Sequence, residues 1–137
     1  MVPEGEKLKL GKGAAFVKTK LRRLPLTDAE FEADFRPRSD RYRRGRKEWI
    51  GTCLSREFGD LLAIGGVERP PTVNDLATLL ARAMSGPQNG GERQRPRRIH
   101  LRNRPEWQEL LPHLRALGIE VVTSEDLPRC DEVAGAT

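Results

Sequence analysis

The stretch 97–123 carries the strongest fold signal of the 137-residue chain. Alternating apolar and polar residues predict a strand at 97–102, and a leucine-rich pattern with a proline in its first turn predicts a helix at 105–117. Gly118 ends that helix, and a second strand is predicted at 119–123. Two strands joined by a helix form a βαβ unit with parallel strands and a right-handed crossover. The segment therefore predicts a sheet that is covered by helices.

Two further patterns extend this sheet. Residues 48–55 and 60–67 are rich in β-favouring and small apolar side chains, and the polar turn between them predicts a hairpin. A helix is predicted at 72–84, because Thr72 and Asp75 have capping-box spacing and the apolar residues that follow fall on one face. The predicted fold class is α/β (α+β): a small sheet with a β-hairpin, followed by a helix and the βαβ unit, with the helices packed on the sheet.

The first part of the chain has weaker patterns. Thr27 and Glu30 have capping-box spacing, which predicts a short helix at 27–35. Residues 14–18 fit a short strand or an extended arm. The chain is therefore predicted to divide into a basic N-terminal arm with a short helix and an Arg-rich loop (1–47), an α/β core domain (48–127) and a C-terminal tail (128–137).

Positive charge is collected in three blocks of the chain. Residues 7–23 carry a net charge of +7, residues 36–47 carry +6 and residues 92–104 carry +5, which leaves −13 for the rest of a chain whose total charge is +5. Clustered positive charge favours an anionic partner. The blocks are therefore the strongest functional signal in the sequence.

The block 36–47 is the leading candidate for a nucleic-acid site. Six of its seven cationic side chains are arginines, whose planar guanidinium matches two phosphate oxygens. Tyr42 lies inside the block and Trp49 just after it, so a base can stack on an aromatic ring beside the phosphate contacts. We therefore predict a non-catalytic accessory protein that binds RNA or DNA. Its predicted contact residues are Arg36, Arg38, Arg41, Tyr42, Arg43, Arg44, Arg46, Lys47 and Trp49, with Lys18, Lys20, Arg22, Arg23, Arg97 and Arg98 extending the surface.

Three other interpretations remain open. The arginines can pair with the chain's own carboxylates. Alternatively, the protein is an interaction module of a larger bacterial assembly that pairs a partner strand with an open hairpin edge at 48–55. The third is a metal-assisted nuclease in which acidic side chains would bind a divalent metal ion. Those side chains are Asp28, Glu30, Glu32, Asp34, Glu125 and Asp126.

Motifs of catalysis and metal binding are missing from the sequence. Gly11-Lys12-Gly13 lacks the upstream glycine and the following Ser or Thr of a phosphate loop. His100 and His113 are isolated and have no metal-ligand spacing. We therefore expect no enzymatic activity, no cofactor and no metal.

Cysteine usage and hydropathy suggest the compartment. Cys53 is expected in the core and Cys130 in the tail, without a second pair at zinc-ligand spacing, so both thiols are expected to be reduced. No window has the apolar length of a membrane span, and the first residues lack the apolar stretch of a secretory signal. The expectation is a cytoplasmic protein with a nucleic-acid or protein partner and no membrane contact.

The second half of the chain resembles a known family. The segments RPPTVNDLATLLARAM (69–84), RPRRIHLRNRPEWQELLPHLRALGIEVV (95–122) and DLP (126–128) resemble the bacterial domain of unknown function 6930 over about residues 60–130. The resemblance rests on a helix, a strand, a leucine-rich helix and a Gly-Ile turn into a last strand. These are packing features, so the resemblance implies the fold and supplies no catalytic motif. The basic first half lies outside it.

Overall fold

The computed structural model describes Leu8, residues 14–38 and residues 48–135. Its strands are β1 (Glu30–Arg38), β2 (Glu48–Ser55), β3 (Leu61–Val67), β4 (Arg98–Leu101) and β5 (Glu120–Thr123). Its helices are α1 (Lys18–Leu21), α2 (Val73–Ser85), α3 (Leu111–Ala116) and α4 (Pro128–Gly135), with a 3₁₀ turn at Pro105–Trp107. In this part of the chain, no helix has both the length and the apolar character needed to cross a membrane.

The strands form one open sheet in the order β3-β2-β1-β4-β5. β1, β2 and β3 are antiparallel neighbours, whereas β4 and β5 run parallel to β1. The predicted α/β (α+β) class is confirmed by this sheet and its helices.

The predicted hairpin and capped helix are both present. β2 pairs antiparallel with β3. At the start of α2, the Thr72 hydroxyl accepts a hydrogen bond from the Asp75 amide at 3.4 Å, and the Asp75 carboxylate accepts one from the Thr72 amide at 2.7 Å. Burial alone would raise the pKa of Asp75, but hydrogen bonds from Arg69 and from the Thr72 backbone lower it. The ionised carboxylate therefore stabilises the first turn of α2.

β1 occupies the stretch in which a helix was predicted at 27–35, so that prediction is wrong. Its residues alternate between the two faces, and Phe31 and Phe35 are buried on the side of α2. Thr27 donates to the Gln94 side chain at 2.6 Å instead of capping a helix. Pairing with two neighbouring strands outweighs the local capping signal. Only an extended backbone places alternate side chains of β1 on the two faces of the sheet, where both sets are packed. β1 is thus the central strand of the sheet.

The βαβ unit is present with a shorter helix than predicted. β4 and β5 are parallel, as expected. The helix predicted at 105–117 is divided into the 3₁₀ turn and α3, because Pro112 has no amide for a bond inside an α-helix and lies in the first turn of α3. Gly118 follows with φ of +80°, a left-handed conformation that favours glycine.

The main core lies between the sheet and the layer formed by α2, α3 and the 3₁₀ turn. Its fully buried side chains include Leu80 and Trp107. Cys53 is buried there, as predicted, and burial raises the pKa of its thiol. Phe16 also packs into this core, next to α1, where a strand or extended arm was expected at 14–18.

α4 packs on the other face of the sheet. It lies in the stretch assigned to a tail at 128–137, and Leu127 and Cys130 are buried against Leu54 of β2. Two apolar residues three positions apart are too short a pattern to predict a helix from sequence. Burial and the nearby carboxylate Glu32 raise the pKa of the Cys130 thiol to about 12.

The prediction of an open sheet edge at 48–55 is wrong. β2 pairs with β1 on one side and with β3 on the other, so its backbone groups are used within the sheet. The edges of the described sheet are β3 and β5.

Candidate functional site

β1 and β4 place a row of charged side chains on the face of the sheet opposite α2. We call this row the charged face. Because side chains alternate along a strand, it consists of every second residue of two neighbouring strands. Its members are Glu30, Glu32, Asp34 and Arg36 from β1, and Arg98, His100 and Arg102 from β4 and the position after it.

Three arginines surround Asp34, which lies in the middle of β1 and just beyond the level at which β4 ends. The side chain of Asp34 is 1% exposed, and Arg102 Nε donates to its Oδ2 at 2.8 Å. Arg36 Nε lies 3.4 Å from the same oxygen, and Arg104 Nη2 lies 3.7 Å from Oδ1. Both Arg36 and Arg102 also pair with Asp131 of α4. The arginines therefore compensate a buried carboxylate and connect the sheet to α4.

Glu32 holds the N-terminus of α4. It is completely buried, and its Oε1 accepts hydrogen bonds from the backbone amides of Arg129 at 2.9 Å and Cys130 at 3.3 Å. These amides belong to the first turn of the helix, where a negative charge is favourable. Arg56 Nε lies 3.4 Å from the other carboxylate oxygen.

Glu30 and His100 form the third cluster of the charged face, after those around Asp34 and Glu32, and it lies at the amino end of β1. His100 is buried, and its Nε2 lies 2.8 Å from Glu30 Oε1. Arg97 and Arg98 pair with the same carboxylate at 3.0 and 3.2 Å, and Arg56 contacts the imidazole. The hydrogen bond with His100, together with the two arginines, lowers the pKa of Glu30.

The lowered pKa of Glu30 predicts a pH effect on stability. An ionised Glu30 stabilises the folded state above its unfolded pKa of about 4.5, and this contribution is lost as the pH falls through the lower folded value. We expect Glu30→Gln to lose less stability than the wild type as the pH falls below 4.5, measured by urea unfolding at each pH. Glu106→Gln, which removes an exposed carboxylate, controls for the change in net charge. Parallel acid profiles of wild type and Glu30→Gln would contradict the prediction.

An open cavity of about 440 Å³ adjoins this third cluster. The side chains of Asp28, Glu30, Arg56, Glu57 and Arg97 line it. Sequence analysis missed Arg56 entirely, because a single arginine in a turn gives no pattern. Among the described residues, no three His, Cys, Asp or Glu side chains form a group that could hold a metal ion.

Three of the predicted contact residues lie on or next to the charged face and are paired with the chain's own carboxylates. Arg36 pairs with Asp34 and Asp131, whereas Arg97 and Arg98 pair with Glu30. Internal ion pairing, which the sequence left open as an alternative, is therefore present at these positions.

A second set of predicted contacts lies on the helical side of the sheet. Lys18 and Lys20 belong to α1, and Arg22 and Arg23 follow it. Lys20, Arg22 and Arg23 are exposed, and none of the four pairs with a carboxylate of the described residues. Arg22 Nη2 donates to the Ala116 carbonyl at the end of α3, at 3.5 Å. This surface is thus distinct from the charged face.

The remaining predicted contacts lie in the block 36–47, which we call the central basic block, or directly after it. Trp49 packs half-buried on the core, and the guanidinium of Arg104 lies 5.9 Å from the centre of its ring. The backbone of Arg38 ends β1. The other predicted contacts lie outside the described residues: Arg41, Tyr42, Arg43, Arg44, Arg46 and Lys47.

Within the described residues, the basic blocks meet only in part. Arg36 of the block 36–47 and Arg102 and Arg104 of the block 92–104 lie around Asp34. Arg98 pairs in register with Glu30 at the amino end of β1, about 20 Å from the position of Arg36 along the strand. The α1 cations lie on the helical side of the sheet.

Solved structures similar to this chain include an integrase catalytic core domain and an intasome. The HTLV-2 integrase catalytic core domain in complex with magnesium, in its dimeric form, is 16% identical with a TM-score of 0.55, over 82% of this chain and 68% of that one. The trimeric form has the same identity and score and is covered over 67% of its length. The simian T-cell lymphotropic virus intasome in complex with PP2A regulatory subunit B56 gamma is 16% identical with a TM-score of 0.52, over 85% of this chain and 42% of that one.

This likeness corrects the expectation that the chain is not an enzyme. At 16% identity the likeness shows the fold alone, but that fold is the one of catalytic core domains. In the sequence, catalysis was raised only by the metal-assisted nuclease alternative, because the recognised catalytic motifs are missing from the chain.

Comparison with family models extends the resemblance noted in the sequence. The model of the family described as Domain of unknown function (DUF6930) matches residues 18–136. The resemblance is confirmed, and its extent is wider than the 60–130 inferred from packing features, because β1 and α1 belong to the same unit. No curated protein matches the chain.

Proposed function

The chain belongs to the DUF6930 family, and from that premise, together with its integrase-core fold, we propose that it binds nucleic acid at the carboxyl ends of β1 and β4. Ligands of open α/β sheets bind outside the carboxyl ends of parallel strands. The integrase fold supports the same class of ligand by analogy.

The observation that supports the proposal is where the central basic block joins the sheet. The chain leaves β1 at Arg38 and enters β2 at Glu48, which pair in register. Residues 38–47 carry six cationic side chains and one acid. Their attachment points lie at the same end of the sheet as Arg102 and Arg104, which follow β4.

The charge balance at this end favours an anionic ligand. Asp34, Asp131 and Glu48 balance the formal charge of Arg36, Arg102 and Arg104 at this end, so the excess of positive charge comes from residues 38–47, which carry six cations and one acid. A phosphate backbone is the polyanion that arginine forks fit best. The proposed contacts are Arg104 and the cations of residues 38–47.

We expect Arg43→Glu/Arg44→Glu to weaken binding to short labelled RNA or DNA at least about tenfold and to reduce the salt slope by about 1.4 to 1.8, because two phosphate contacts are lost. Fluorescence anisotropy between about 50 and 200 mM salt measures both quantities; a site with four to six contacts should lose roughly 10² to 10³ in affinity over this range.

Lys20→Glu/Arg23→Glu is the matched control. It reverses two cations as well, so both variants have the same net charge, but its residues lie on the α1 surface. Equal weakening by the two variants would mean that total charge alone drives binding. The absence of any salt-sensitive complex with RNA and DNA would contradict the proposal.

Magnesium does not fit the charged face as it stands. The HTLV-2 integrase structures contain magnesium, an ion that proteins bind through carboxylate oxygens and water. In this chain the two buried carboxylates of β1 each face guanidiniums: Asp34 pairs with Arg102 and Arg36, and Glu32 lies beside Arg56. Positive charge therefore already occupies the space around these oxygens.

A further inference from the structure

Two carboxylates and two guanidiniums form a closed ring between β1 and α4. Arg102 Nε donates to Asp34 Oδ2 at 2.8 Å, and its Nη2 donates to Asp131 Oδ1 at 2.5 Å. Arg36 pairs with the same two carboxylates. Arg102 Nη1 also donates to the backbone carbonyl of Glu125 at 2.6 Å. Arg102 is thus bound by oxygens from β1, from α4 and from the segment between β5 and α4.

Burial makes a cation necessary at this position. The side chain of Asp34 is 1% exposed and that of Arg102 is 17% exposed. Asp34 Oδ1 is buried without a hydrogen-bond partner. An uncompensated carboxylate at this depth is strongly destabilising, so α4 can approach the sheet only if a positive charge lies between Asp34 and Asp131. Hard divalent cations bind the same kind of oxygen set.

We propose that Arg102, together with Arg36, takes the place of a divalent cation between β1 and α4. Removing these guanidiniums would leave Asp34 Oδ2, Asp131 and the Glu125 carbonyl as a site for Mg²⁺ or Mn²⁺, while Arg104 stays 3.7 Å from Asp34 Oδ1. In the wild-type protein the positive charge belongs to arginine side chains, so α4 is held on the sheet independently of the metal concentration. This inference does not depend on nucleic-acid binding.

Manganese is the probe for the test, because it takes the same oxygen ligands as magnesium and is visible by electron paramagnetic resonance. We expect Mn²⁺ to leave the thermal unfolding of the wild type unchanged. Arg36→Ala/Arg102→Ala should bind Mn²⁺ at least about tenfold more tightly than the wild type, whereas Arg102→Ala, which keeps Arg36 between the two carboxylates, should gain less. The double variant should melt lower than the wild type without metal and regain part of the difference when Mn²⁺ is added.

Asp34→Asn in the Arg36→Ala/Arg102→Ala background is the control, and it should abolish the gain in Mn²⁺ binding. Arg36→Ala/Arg102→Ala decides the question, since Arg102→Ala alone keeps Arg36 between Asp34 and Asp131. If the double variant does not fold without metal, recovery of its folding on addition of Mn²⁺ is the result to measure. Mn²⁺ binding by the double variant that is no tighter than that of the wild type, or a failure of Mn²⁺ to restore its folding, would overturn the proposal. Wild-type Mn²⁺ binding that Asp34→Asn removes would also overturn it.

Discussion

Replacing Glu32 by alanine is expected to release α4 from the sheet and to lower the free energy of unfolding by about 3–5 kcal/mol. Glu32 is completely buried and accepts two backbone hydrogen bonds from the first turn of α4. Its loss leaves the amides of Arg129 and Cys130 without an acceptor and removes the carboxylate beside Arg56. The two amides at the start of α4 are then left without a hydrogen-bond partner, and the partly exposed Arg56 loses one carboxylate partner.

Urea unfolding measures the stability change, which corresponds to a shift of about 2 M in midpoint. Release of α4 is measured separately through Cys130, which is buried against Leu54 in the wild type and whose thiol has a pKa of about 12. We expect alkylation of Cys130 under native conditions to be much faster in Glu32→Ala, with peptide mapping to distinguish it from Cys53. Glu32→Gln keeps an acceptor oxygen and should have a smaller effect. An unreactive Cys130 in Glu32→Ala would contradict this role of Glu32.

The second large effect is expected for Trp107→Ala, which should lower the free energy of unfolding by about 3–5 kcal/mol. Trp107 is 1% exposed, and the centre of its ring lies 5.9 Å from that of Phe35. Phe35 stands in β1 between Asp34 and Arg36, with its side chain on the opposite face. The substitution therefore leaves a cavity directly beneath the carboxyl end of β1, and we expect it to weaken nucleic-acid binding as well as stability.

Trp107→Phe separates the two contributions of the indole. The Nε1 donor of Trp107 is buried without a hydrogen-bond partner. Removing an unsatisfied buried donor removes its desolvation cost of about 1–3 kcal/mol, and this gain offsets the packing that is lost with the smaller ring. We expect Trp107→Phe to unfold within about 1 kcal/mol of the wild type. A loss as large as that of Trp107→Ala would show that the indole nitrogen is satisfied in solution.

The elements that sequence analysis predicted correctly are those whose signals are local. The capping box of Thr72 and Asp75 defines the start of α2, and Gly118 defines the end of the helix before β5. The helix predicted at 27–35 failed for the opposite reason. Its capping spacing is local, but the conformation of β1 is decided by pairing with β2 and β4, which lie elsewhere in the chain.

From its amino-acid order alone, the chain can be assigned to the α/β class, and its hairpin, its βαβ unit and its arginine-rich blocks can be located, because periodicity, caps and charge runs act within a few residues. Only the folded arrangement decides which arginines already have partners. Asp34 and Arg102 are separated by 68 positions, and Glu32 and Arg129 by 97. Such pairs form through strand register and helix docking, and these long-range contacts leave no pattern in a single sequence.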